Sequence, residues 1–318
     1  MSDFLDHHIL ALPAGITPET IELLARSRFT AARPDGDGIR LSRHSNISPL
    51  EVDTHHLRAA KVPSDLPVTW LARTPRERGE APTPGLSDRT GISRACADGM
   101  PIRDEARVLQ WLVAVARRLG GAVRVVPSGE VLRPDVESSV DLTVISHIWL
   151  DPGATLKVVS GALPRATFDD IPPWSGPVRF DGPVAGAEAL DAEYRERLHE
   201  RADAFDAQEL AKQYVSEKYS VGADLEVDGR IDVFISLVED MPPALRDVWE
   251  GHTAISYEVR WTPENFGVLE LEKLPLHLRV ARKRALGLVA RAARAIHQAI
   301  GGDIVDDDRF VVDPRDLA

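Results

Sequence analysis

Two stretches of this chain carry nearly the same pattern: "GGAVRVVPSGEVLRPD" at 120–135 and "GGDIVDDDRFVVDPRD" at 301–316. Each opens on a double glycine, continues into a short β-branched run, turns, and repeats the run before a proline. Upstream of each pair lies a helical stripe at spacings of three and four. Val108, Leu112, Val115 and Leu119 form the first; Val289, Ala293, Ile296 and Ile300 form the second, 181 residues on. Apolar residues at that period mark one face of a helix, and glycine is the residue that ends helices through left-handed backbone.

The correspondence extends outward from these motifs. Thr74-Pro75 with Gly79 matches Thr262-Pro263 with Gly267, and Gly38 matches Gly229. Offsets of 191, 188, 181 and 180 drift in one direction, as indels after a duplication produce. In the second copy, "DLEVDGRIDVFISLV" (224–238) reads as two strands around Asp228-Gly229, a pair suited to a tight hairpin. "PPALRDVWEG" (242–251) reads as a short helix, "TAISYEVRW" (253–261) as a strand and "VLELEKL" (268–274) as a half-buried strand by alternation. A helix over 277–300 and a final strand pair complete it. The order is strand, helix, strand, strand, helix, strand, with an extra hairpin strand at the start. That is the ferredoxin-like βαββαβ pattern of an α+β fold.

The expected organisation is therefore a first repeat unit at 1–136, carrying an insertion loop at 80–101, and a second at 223–318. Between them, 137–222 reads as a helical and β connector. Its parts are strands at 141–150 and 154–160, a Pro-rich crossing, and a helix over about 188–218 with Leu190, Tyr194, Leu198, Phe205, Leu210, Tyr214 and Val215 as its stripe.

Bulk properties narrow the function classes. A net charge of −12 opposes binding to nucleic acid or anionic lipid through bulk electrostatics. One cysteine, Cys96, excludes an intramolecular disulfide and argues against a cysteine zinc site. The acidic start "MSDFLD" lacks the basic region of a signal peptide, and no apolar run reaches the length of a membrane span, so a cytoplasmic protein is expected.

Candidate sites are few. Asp306, Asp307 and Asp308 offer hard oxygen ligands for a cation, but aspartate also favours tight turns, and the matching turn "PSG" of the first copy is not acidic. Neither a metal nor a cofactor is expected. "GISRA" (91–95) lacks the strand-to-helix context of a nucleophile elbow. Of the histidines, "DTHH" (53–56) falls on a short helix, where adjacent side chains point apart, and His147, the candidate among them for a binding role, lies on a two-sided strand beside Trp149, where a hydrogen-bonded core histidine is the favoured reading. Arg260, Trp261, Glu264 and Phe266 gather aromatics and charges around one turn, either the composition of an interface core or a Trp261 that faces the sheet core with Phe266 as its cap. The expectation is a non-enzymatic binding protein with a protein partner or self-association. The alternative is an enzyme or small-ligand binder whose site lies in the groove between the repeat units.

Overall fold

A computed structural model describes residues 3–83, 85, 88–168, 192–211 and 218–317. Its first half contains β1 (His8–Leu12), α1 (Pro18–Arg26), β2 (Arg33–Asp35), β3 (Gly38–Arg40), β4 (Asn46–Pro49), α2 (Thr54–Ala59) and β5 (Val68–Arg73). It closes with α3 (Ile92–Ala95), α4 (Arg103–Leu119), β6 (Ala122–Arg124) and β7 (Val131–Leu132). The second half runs through β8 (Leu142–Ser146), α5 (Pro152–Val159), β9 (Thr167–Phe168), α6 (Ala192–Ala211) and β10 (Tyr219–Asp224). Then come β11 (Arg230–Leu237), β12 (Ile255–Thr262), α7 (Leu276–Ile300), β13 (Asp303–Asp306) and β14 (Val311–Val312). None of the described helices is long and apolar enough to cross a membrane.

The chain is mixed α+β with two antiparallel sheets. One is ordered β2-β3-β4-β5-β1-β6-β7, the other β9-β10-β11-β12-β8-β13-β14, so adding seven to each strand number converts the first order into the second. Helices take matching places as well. In each half, a helix follows the central strand and another precedes the strand that pairs with it on the far side. α1 starts at Thr17-Pro18 and α5 at Asp151-Pro152; both caps accept a backbone N–H and both prolines occupy the first turn. The inner face of sheet one, with Leu10, Leu12, Trp70 and Val123, packs on α1 and α4 through Ile21, Leu24, Val108 and Leu112. Val144, Tyr257, Val259 and Ile304 pack likewise on α5 and α7 through Val159, Val289 and Ile296.

The double glycines now have a physical cause. Gly120 leaves α4 with φ 68° and Gly301 leaves α7 with φ 66°. The following glycine passes so close to the central strand that a Cβ would fall 2.5 Å from Ala11 O in the first half and 2.0 Å from Ile145 O in the second. Ala11 and Ile145 hold the same ladder position: each follows by one residue the strand centre that faces β5 or β12 (Leu10 with Trp70, Val144 with Tyr257). Any side chain there would push the return strand off its neighbour.

Several sequence expectations need correction. Residues 154–159 belong to helix α5 and Ser160 is its C-cap, because the Asp151-Pro152 start and docking against α7 and β10 outweigh the β-branched run. β8, placed in the connector from sequence, is a central strand of the second sheet, flanked by β12 and β13. "VLELEKL" contributes to a 3-10 turn at Phe266–Glu270, capped by the Asn265 side chain on the Gly267 N–H, rather than to a strand. "PPALRDVWEG" is helical only over Pro243–Leu245. Gly38 and Gly229 are not equivalent: the first opens β3, the second lies in the turn after β10, where it has φ 92°. Of the long-helix stripe, Tyr194 and Leu198 on α6 are exposed, and Leu190, Tyr214 and Val215 lie outside the described residues.

Candidate functional site

The two outer sheet faces, away from α4 and α7, differ. In sheet one that face presents Ile9, Ala11, Leu71 and Ala122, sealed by Phe4 and by Ala60, Val62 and Leu66 from the α2 connection. In β1 and β5, Ile9 faces Leu71; at the same ladder position in β8 and β12, Thr143 faces Glu258. The connection after β11 covers only one end of its sheet, where Leu245 and Ala254 pack on Ile145 and Val305. The rest is a groove of about 740 Å³.

Alternation within the strands supplies the floor. Tyr257, Val259 and Trp261 are buried on the inner side, so Ser256, Glu258 and Arg260 point outward beside Thr143 and Ser236. The hydroxyls of Ser236 and Ser256 lie 3.1 Å apart, and Ser256 Oγ also donates to Ser236 O at 3.2 Å. Arg260 pairs with Glu258 and stands 5.8 Å from the centre of the Phe234 ring. At one end, Asp141 Oδ1 accepts the Trp261 N–H at 2.9 Å. Burial pushes this carboxyl up to about 6, and nearby Asp307 adds to the shift. A wall comes from the first half: Arg89, in the 80–101 insertion, binds Asp307 at 2.6 Å.

The acidic turn joins the two halves. Arg117 of α4, buried, forks onto both Asp308 oxygens at 2.7 and 2.6 Å, and Arg28 donates to Asp308 O at 2.9 Å. Arg118 binds Asp306 at 2.6 Å and lies over the Phe310 ring. Phe310, fully buried, sits in the core of the first half. The carboxylates of Asp306, Asp307 and Asp308 thus pair with Arg118, Arg89 and Arg117 of the other half, which gives the acidity of the turn a structural role. Desolvation also raises the Asp306 carboxyl to about 6, against the pull of the Phe310 N–H and Arg118.

Among the residues singled out from sequence, Arg260, Phe266, Asp306 and Asp307 line this groove, Phe266 with 67% of its surface exposed. Trp261 borders it but is an inner-core residue, 3% exposed, with Nε1 donating to Asp228 O at 2.7 Å, the core-facing alternative of the two open from sequence. Glu264 is exposed and outside the groove, and Asp308 is committed to the junction. His147 lies beyond the end of β8 and is exposed, so it is neither on a strand nor in the core. Adjacent His55 and His56 do converge, with Asp53, to within 4.8 Å; Asp53 Oδ1 there accepts both the His56 N–H and its Nδ1–H, the work of a helix cap. Sequence reasoning missed Asp141, Thr143, Ser236, Ser256, Glu258 and Arg89. The strand alternation at 141–146 and 256–261 carried the signal for most of them; nothing local pointed to Arg89.

Compared with known proteins, the chain matches no family model, and no curated protein or solved structure is significantly similar to it.

Proposed function

We propose that this protein is a non-enzymatic binding protein, built by internal duplication of a ferredoxin-like unit, whose second unit receives a protein partner in its outer groove. The first unit serves as scaffold. Support for the duplication comes from the matching strand orders, with β6-β1-β5-β4 and β13-β8-β12-β11 each giving the 4-1-3-2 order of βαββαβ. The second unit then starts at β8, and α6 falls in the chain between its paired strands β9 and β10, the counterparts of the β2-β3 hairpin. One observation carries the binding role: a face that is apolar and sealed in one unit is polar and open in the other. Burying Ile9 and Leu71 favours folding by about 1.5–3 kcal/mol each. Thr143 and Glu258 contribute no such term, so stability alone does not explain them; functional surfaces are where such departures are expected.

The test is site-directed photocrosslinking in the native host. A photoreactive residue at Ser256, in the groove, should trap one defined polypeptide, whereas the same residue at exposed Leu286 on α7 should not. Equal trapping at both positions, or none at Ser256, would refute the groove as the recognition surface.

A second reading has its own observation. Asp141 and Asp306, both displaced upward to about 6, line the same groove, and perturbed carboxyls gather in catalytic and ligand sites. Native mass spectrometry separates the two: added mass of a few hundred daltons favours a small ligand, a stoichiometric second chain the partner.

A further inference from the structure

We infer that the groove's partner enters as a basic segment, and that Arg309 occupies the place of one of that segment's arginines when the partner is absent. This inference rests on the groove being the recognition surface. Among the described residues, seven carboxylates and four cationic side chains line the groove, a formal charge of −3. The seryl and threonyl floor adds hydrogen-bonding groups without changing that sign. A complementary segment must therefore bring positive charge, and desolvating the carboxylates is favourable only if cations replace the lost water.

Arg309 shows how such a cation is held. It sits at the tip of the β13–β14 turn with φ 66°, a left-handed conformation that residues with a Cβ disfavour. The turn is fixed around it by the Asp306–Arg118, Asp307–Arg89 and Asp308–Arg117 pairs, and the Arg309 N–H donates to Asp306 O at 2.8 Å. From there the guanidinium reaches the segment after β11. One nitrogen donates to Asp240 Oδ2 and another to Asp240 O, both at 2.7 Å. A two-pronged fork onto a carboxylate and its own carbonyl is the recognition mode arginine is shaped for. Both side chains line the groove and stay substantially exposed, at 35% and 65%, so the pair is open to exchange. Exposed pairs are weak, which is the property a placeholder needs.

The test uses two fluorescein-labelled octapeptides that alternate serine with arginine or with its uncharged isostere citrulline, titrated by anisotropy. Wild type should bind the arginine peptide and bind the citrulline peptide at least about tenfold more weakly, since charge supplies the affinity. Arg309→Ala should tighten arginine-peptide binding about two- to fivefold, the range a lost exposed pair allows, and Asp240→Asn should weaken it. Unchanged or weaker binding by Arg309→Ala overturns the placeholder, and equal affinity for citrulline or no binding at all overturns the basic partner. Ser236→Trp, which fills the floor, tests the underlying reading separately. If it binds the arginine peptide as wild type does, the groove is not the site. If a partner still crosslinks at Ser256 while the arginine peptide fails to compete, the groove stands and the basic class falls.

Discussion

Asp308→Asn should destabilise the whole protein, although position 308 lies in a turn. Arg117 is buried, with 2% of its surface exposed, and among the described residues its Nε has no hydrogen-bond partner. Its charge is therefore balanced by the fork onto Asp308. Asparagine keeps the shape and one acceptor but removes the counter-charge. Breaking a buried pair on one side costs about 3–5 kcal/mol, because the remaining charge stays desolvated; the retained hydrogen bond places the expectation near ~3 kcal/mol. For 318 residues, an unfolding entropy of about 2.1 cal/mol/K per residue makes each kcal/mol worth about 1.5 °C, so Tm should fall by about 5 °C. The assay is a thermal scan of wild type, Asp308→Asn, Arg117→Met and the double variant. The double variant should be more stable than the sum of the single losses predicts by at least about 1 kcal/mol, since removing both charges removes the unpaired one. A loss under about 0.5 kcal/mol for Asp308→Asn, or strict additivity, would refute the pairing as the bond between the halves.

Asp141→Asn should instead stabilise the protein at pH 7.5. The folded carboxyl sits near 6 and the unfolded one near 3.8, so the folded state holds its proton more tightly. Its ionisation costs nothing below pH 3.8, costs progressively more up to pH 6, and above that costs up to about 3 kcal/mol. Denaturant titrations of the variant should show a gain of about 1–3 kcal/mol at pH 7.5 that fades toward pH 4; a loss at pH 7.5 contradicts the desolvation argument. Binding of a basic segment should weaken as pH falls through 6, because protonating Asp141 and Asp306 removes negative charge from the groove; a flat anisotropy profile from pH 7.5 to 5 opposes it. Gly302→Ala should cost at least about 3 kcal/mol in a denaturant melt, since φ 97° and a 2.0 Å approach to Ile145 O both reject a Cβ, whereas Gly161→Ala, with open space around it, should change stability by less than about 0.5 kcal/mol.

Much of the architecture was legible in the chain because its causes are local. The stripe Val289, Ala293, Ile296 and Ile300 faces a core whatever that core contains, and Gly301 ends its helix through its own backbone freedom. β-Branched and aromatic residues at 253–261 marked β12, and the two glycine pairs marked where α4 and α7 end. Where the reading failed, the deciding partner was distant. The Thr155 to Val159 run has strand chemistry, yet α5 forms because Tyr219 and Tyr257 bind the 148–150 carbonyls and hold the chain at the Asp151 cap. The turn reading of Asp306, Asp307 and Asp308 missed their partners, because those arginines lie about 190–220 residues away in the sequence. Sequence determined which residues alternate and where helices stop, since those depend on neighbours along the chain. Which outer face stays open, and that Asp141, Glu258 and Arg89 share one groove, was decided only by tertiary structure, because charge balance and burial depend on groups brought together by folding.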